Sequence, residues 1–142
     1  MKVFITLLSL SILVISCTKE SEKLRAALQN NNTPITMSSP ALKRGTFSPT
    51  AGIQVMGVAK IIQASGALQV QLDSFSVSSG PDLKVYLSQA ATPGNHLNLG
   101  NLKSNSGTQS YNIPTGTNVS DYSFVLIHCQ QYNHLFSYAK LQ

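Results

Sequence analysis

Residues 45–142 predict an all-β domain, an antiparallel β-sandwich or partly open barrel of six to eight short strands. Three observations point there. Apolar and polar residues alternate with period two in several separate runs, and clusters of Gly, Pro, Asn, Asp and Ser divide those runs. Charged residues make up only 11% of the chain, so no long stretch has the Glu, Lys, Arg and Ala richness of stable helices.

The elements follow in order. Residues 55–62 form a first run, joined to 68–75 through Ala64-Ser65-Gly66-Ala67, where Ser-Gly suits a tight hairpin turn. In the second run Leu68, Val70 and Leu72 alternate with Gln69, Gln71 and Asp73. Leu83, Val85 and Leu87 then alternate with Lys84, Tyr86 and Ser88. Residues 108–113 are a shorter candidate closed by Pro114. Residues 124–129 are apolar at nearly every position, so both of their faces should be covered. Residues 135–141 make the final strand. Turn signals at 78–82, 92–95, 104–107 and 114–116 punctuate the series.

The first 44 residues have a different character. Met1-Lys2 gives a positive start, residues 3–15 are uncharged and mostly Leu, Ile and Val, and Ser16-Cys17 precedes the polar Thr18-Lys19-Glu20. A spanning helix needs roughly 20 apolar residues, so this shorter run fits a signal-peptide core followed by a cleavage site. Val14-Ile15-Ser16-Cys17 resembles the bacterial lipobox. That resemblance implies cleavage after residue 16 and a Cys17 carrying diacylglycerol and a further acyl chain such as palmitate. At about 0.8 kcal/mol per buried methylene, two or more chains hold a protein stably to a bilayer. Thr18 rather than Asp after the cysteine suggests the outer membrane of a bacterial cell envelope. Residues 17–44 read as the lipidated cysteine and a flexible tether. Residues 22–29 could form a turn or two of helix, stopped by Asn30-Asn31-Asn32-Thr33-Pro34. About 25 such residues reach roughly 25–30 Å.

Composition narrows the function. Without Lys2, nine Lys and Arg stand against five acids, but Lys43, Arg44, Lys60, Lys84, Lys103 and Lys140 are scattered. Nucleic-acid binding would want a basic patch interleaved with aromatics, so it is not expected. The acids after residue 44 are Asp73, Asp82 and Asp121, each beside a turn or strand end, and no carboxylate pair, nucleophile elbow or phosphate loop appears. The chain does not read as an enzyme.

Three stretches taken together resemble one family. They are residues 80–88 (GPDLKVYLS), residues 99–114 (LGNLKSNSGTQSYNIP), and Val125-Leu126-Ile127-His128-Cys129 continuing through Phe136 and Ala139 to Leu141. Their order and spacing resemble the electron-transfer DM-thirteen domain over roughly residues 45–142. The resemblance implies a compact extracytoplasmic β domain with one recurrent cysteine, matched here by Cys129, and a redox or electron-transfer role with a protein partner. Two positions depart from the family pattern: His128 stands where Trp is common, and His134 where a small apolar residue is usual.

Cysteine arithmetic sharpens the question. If Cys17 is acylated, Cys129 has no partner within the chain, and an unpaired thiol in an oxidising compartment is unusual. It is a redox thiol or cofactor ligand, a buried core residue behaving as a small hydrophobe, or a thiol paired with another molecule; the core alternative makes the chain a binding or structural envelope lipoprotein. Alternation puts Val125, Ile127 and Cys129 on one face and Phe124, Leu126 and His128 on the other, which keeps His128 from sharing a metal with Cys129. A two-residue loop at Tyr132-Asn133 would place His134 diagonally from Cys129 on the same face. His96, Cys129 and His134 have the order of a blue-copper ligand set, with Tyr138 where the axial Met would stand. Covalent c-type haem is excluded because no Cys-x-x-Cys-His occurs, while non-covalent haem stays open.

Overall fold

The computed structural model describes residues 40–142. The expected leader, Cys17 and the tether as far as residue 39 lie outside the described residues. Eight strands follow: β1 (Ala41–Pro49), β2 (Val55–Ala64), β3 (Ala67–Val77), β4 (Leu83–Ser88), β5 (His96–Asn101), β6 (Ser106–Asn112), β7 (Phe124–Cys129) and β8 (His134–Lys140). The all-β expectation holds. β1 begins at Ala41, so its first four residues fall within the stretch expected to be tether, and β5 forms where no strand was expected.

All strand pairs are antiparallel, and they make one sheet in the order β5-β4-β7-β8-β1-β2-β3-β6. Continuity makes this the nearly closed barrel rather than two separate sheets. The join is β1, which pairs with β2 between Ala41 and Thr46 and with β8 between Phe47 and Pro49. Gly45 permits the crossing. A Cβ there would sit 2.6 Å from the carbonyl carbon of Lys140 and collide with its oxygen, so only glycine lets β8 come this close. Beside it, Arg44 and Gln142 exchange backbone hydrogen bonds of 3.0 and 2.9 Å.

Turn chemistry fixes the β2–β3 register. Ala64 faces Ala67, and Ser65 (φ 50°) and Gly66 (φ 77°) both lie in the left-handed region, as a type I′ hairpin turn requires. With that register set, Ala59 and Ile61 of β2 and Val70 and Leu72 of β3 all point inward. They meet Val85, Leu87, Val125, Ile127 and Cys129 from the other half, with Phe47 edge-on to Phe75 at 5.1 Å between ring centroids. Each large side chain removed from water in this way contributes about 1.5–3 kcal/mol.

Between β5 and β6, which share no ladder, the connecting loop is held to β6 by side chains. Gln109 Oε1 accepts from the backbone N–H groups of Lys103 (3.1 Å) and Ser104 (3.2 Å) and from Tyr111 Oη (2.6 Å), while its Nε2 donates to the Ser104 carbonyl (2.7 Å). Lys103 N–H also donates to Tyr111 Oη at 2.9 Å. At the opposite end Lys43 Nζ donates to the carbonyls of Val119 and Tyr122 (2.9 and 3.0 Å). This ties β1 to the 3-10 turn Val119–Asp121, capped by Asn118.

Two substitutions test these closures. Gly45→Ala is expected to destabilise the domain by about 2 kcal/mol or more, since rigid backbone must move. Gln109→Leu should cost about 2–3 kcal/mol by leaving half-buried N–H donors unpaired. Urea denaturation midpoints would check both, the Gly45 effect failing if the midpoint is unchanged.

Candidate functional site

Cys129 ends β7. It is fully buried, it is a free thiol, and it packs in the apolar core. Leu83 opposes it on β4 and His134 on β8. The alternation read from sequence holds: Val125, Ile127 and Cys129 face the core, and Leu126 and His128 face the other way. Both faces are covered, as the unbroken apolar run required. On the outer face Leu126 lies between Tyr86 and Tyr138, and none of its surface is exposed.

The β7–β8 register differs from the one expected. The connection is a four-residue turn, residues 130–133, with Asn133 at φ 48° and its N–H donating to the Gln130 carbonyl at 3.3 Å. Tyr cannot readily take the φ > 0 that a two-residue Tyr132-Asn133 loop demands; the longer turn puts only Asn there and leaves Tyr132 exposed. His134 therefore faces Cys129 directly rather than diagonally. Its side chain is exposed, with its ring edge-on to Phe136 at 5.5 Å. A register irregularity between Ile127 and His128 makes Phe136 the extra residue of a bulge.

His96 is not drawn to Cys129. It opens β5 on the outer face, exposed, with Nδ1 2.7 Å from the Gly94 carbonyl oxygen. Its ring stacks on Tyr86 at 4.1 Å, and Tyr86 in turn lies 5.4 Å from the ring of His128. Thus the three imidazoles do not converge with the thiol, and no group of three or more His, Cys, Asp or Glu side chains able to hold a metal occurs among the described residues. The His96, Cys129, His134 set expected for copper is split across the two faces of the sheet.

The outer-face stack His96–Tyr86–His128 is what sequence reading missed. His128 and Tyr86 are each only 4% exposed, and His128 Nδ1 has no hydrogen-bond partner among the described residues. Burial holds the His128 pKa below its ordinary value; the Asn133 side chain opposes this, and His96 and His134 add to it by repulsion. Burial likewise raises the Tyr86 phenol. Lys84, directly across from His128 on β4, pairs with Asp82 at 2.7 Å and also donates to Asn101 Oδ1. The parity of Lys84-Val85-Tyr86 and of Leu126-Ile127-His128 could have placed Tyr86 and His128 on outer faces. Only the strand pairing brings them together.

Fold and site define a small, partly open antiparallel barrel with one buried free thiol at a strand end. A family model described as Electron transfer DM13 matches residues 46–141. The chain belongs to that family. No curated protein and no solved structure matches it significantly.

Replacing the thiol measures its packing. Cys129→Ala should cost about 1–2 kcal/mol for the small void, and Cys129→Ser more, because a hydroxyl would be buried without a partner. Equal urea midpoints for the two variants would contradict an apolar site.

Proposed function

We propose that this chain is a non-enzymatic redox component of a bacterial cell envelope, held to the membrane by acyl chains on Cys17, with Cys129 as its reacting thiol. The observation that carries the reading is the position of Cys129. It is buried, yet it is the last residue of β7 and adjoins a four-residue turn that ends in Asn133 at φ 48°. Family membership supports a redox role. The bilayer anchor and the outer-membrane location rest on the sequence of residues 1–18, and the redox protein partner on the family.

The chemistry is thiol–disulfide exchange. Once uncovered, the Cys129 thiol gives its proton to solvent and the thiolate attacks one sulfur of a partner disulfide. The S–S bond breaks, and the departing sulfur leaves as a thiolate with the bonding electron pair. A thiolate of a second partner, a dithiol, then attacks the Cys129 sulfur of the mixed disulfide and expels the first partner in its reduced dithiol form. The second partner's other thiolate attacks that partner's bonded sulfur, closes its disulfide and releases the Cys129 thiolate. Because Cys17 carries lipid in this reading, the resolving thiol comes from the second partner.

The alternative is a binding or structural lipoprotein in which Cys129 only fills space. The full chain, solubilised in detergent, separates the two when treated with 4,4′-dithiodipyridine over a urea series. Local opening at the turn exposes little surface, so labelling well below the unfolding midpoint should proceed at a rate nearly independent of urea. Labelling that rises with urea as steeply as global unfolding would make Cys129 a core thiol and overturn the redox reading.

A further inference from the structure

The end of β7 beyond the bulge is a short segment that holds both His128 and Cys129. Beyond the bulge at Phe136, only the pairs His128–Leu135 and Cys129–His134 continue the β7–β8 ladder. Bulges break the regular hydrogen-bond pattern, so these two pairs and the turn are set apart from the rest of the β7–β8 ladder. Their other ties are the β4 pairs Lys84–His128 and Leu83–Cys129, the Gln130 N–H to the Asp82 carbonyl (2.9 Å), the Thr50 hydroxyl to the Leu135 carbonyl (2.6 Å) and the turn bond from Asn133 to Gln130. His128 sits inside this short segment, 4% exposed, with its Nδ1 unpartnered among the described residues.

We propose that protonation of His128 releases the 128–135 end of the β7–β8 hairpin and so uncovers Cys129, making the thiol responsive to mild acid. The inference rests on the reading of Cys129 as a reacting thiol. Its physical basis is the set of groups around the imidazole. Lys84 faces it from β4, His96 approaches across the Tyr86 ring from β5, and His134 lies on β8, where the residue directly opposite, Leu135, carries no charge. Tyr86 and Tyr138 lie on the flanking strands and Tyr132 in the turn. Lys140 lies at the far end of the hairpin, opposite Phe124. Asp82 is the nearby carboxylate, and Lys84 already engages it. A proton on His128 Nδ1 therefore adds a cation to a face that holds Lys84 and two further imidazoles, at a buried nitrogen with no acceptor among the described residues; the Asn133 side chain, which favours the charged form, opposes burial and the repulsion of His96 and His134.

The sign follows from linkage. With its pKa depressed in the closed form and near 6.5 when the segment is open and solvated, His128 takes up its proton more readily in the open form. Closure is at full strength above about pH 6.5 and weakens as pH falls through the closed-form value, by at most about tenfold per pH unit for one proton.

Two readouts on the full chain in detergent, from pH 7.5 to 5.0, test this. One is amide hydrogen exchange at Gln130 and Asn133, and the other is reaction of Cys129 with 4,4′-dithiodipyridine. Each rate is divided by that of the urea-unfolded chain at the same pH, which removes the intrinsic pH dependence of the chemistry. The opening constant from exchange should rise about tenfold across the range in the wild type and stay within twofold in His128→Gln. His128→Leu serves as a second neutral variant should Gln perturb folding. His96→Gln and His134→Gln should retain most of the dependence. A pH-independent opening constant in the wild type, or a dependence that survives both His128 substitutions, overturns the gate. Because amide exchange does not involve the thiol, a gate that opens while Cys129 stays unreactive would refute the redox reading alone, and a reactive Cys129 with flat exchange would refute the gate alone.

Discussion

Strand β1 changes partners at Gly45, and the rest of the structure depends on that crossing. Before it, β1 is the edge of the layer formed with β2, β3 and β6; after it, β1 belongs to the layer of β8, β7, β4 and β5. Without the close approach of Gly45 to the Lys140 carbonyl, the two layers would have separate edges and β8 would lose its outer neighbour. β8 in turn pairs with β7, and this pairing covers one side of the strand that carries Cys129. A backbone contact in β1 thus governs the seating of a thiol more than eighty residues away in sequence.

The opposite seam shows a different solution to the same difficulty. An open sheet exposes unpaired N–H and C=O groups along its edges. At the β5–β6 gap the Gln109 amide and the Tyr111 hydroxyl satisfy the backbone of residues 103–104, and Lys103 Nζ donates to the Ser110 carbonyl on the β6 edge. These bonds hold the loop that leads from β5 against β6, where no eighth ladder forms.

Around β7 the two faces of the sheet have separate chemistries. Inside, Cys129 lies in apolar packing, where a thiol is inert until exposed. Outside, aromatic rings and cations crowd the imidazole that precedes it in the chain. Consecutive strand residues point to opposite faces, so His128 and Cys129 share a backbone segment without sharing a pocket. Any influence of one on the other passes through the position of that segment.

Much of this was legible in the sequence because it depends on local pattern. Period-two alternation located β3 and β4, strand-like runs bounded by turn signals located β2, β6 and β8, Ser65-Gly66 specified its turn, and the unbroken apolar run 124–129 announced β7 as a strand covered on both sides. The stretches 80–88, 99–114 and 125–141 pointed to the family. Other features were not legible, for physical reasons. β1 and β5 are held by their neighbours: β1 buries only Gly45 and Phe47, and β5 has six residues, none fully buried. The four-residue turn and the bulge at Phe136 shifted the register, so His134 faces Cys129 directly, and pairing across β5, β4 and β7 placed His96, Tyr86 and His128 in one stack. The sequence alone determined which residues could face inward and that Cys129 stands without a partner if Cys17 carries lipid. Tertiary structure decided what each face meets, because strand register is set by long-range pairing that no local window contains.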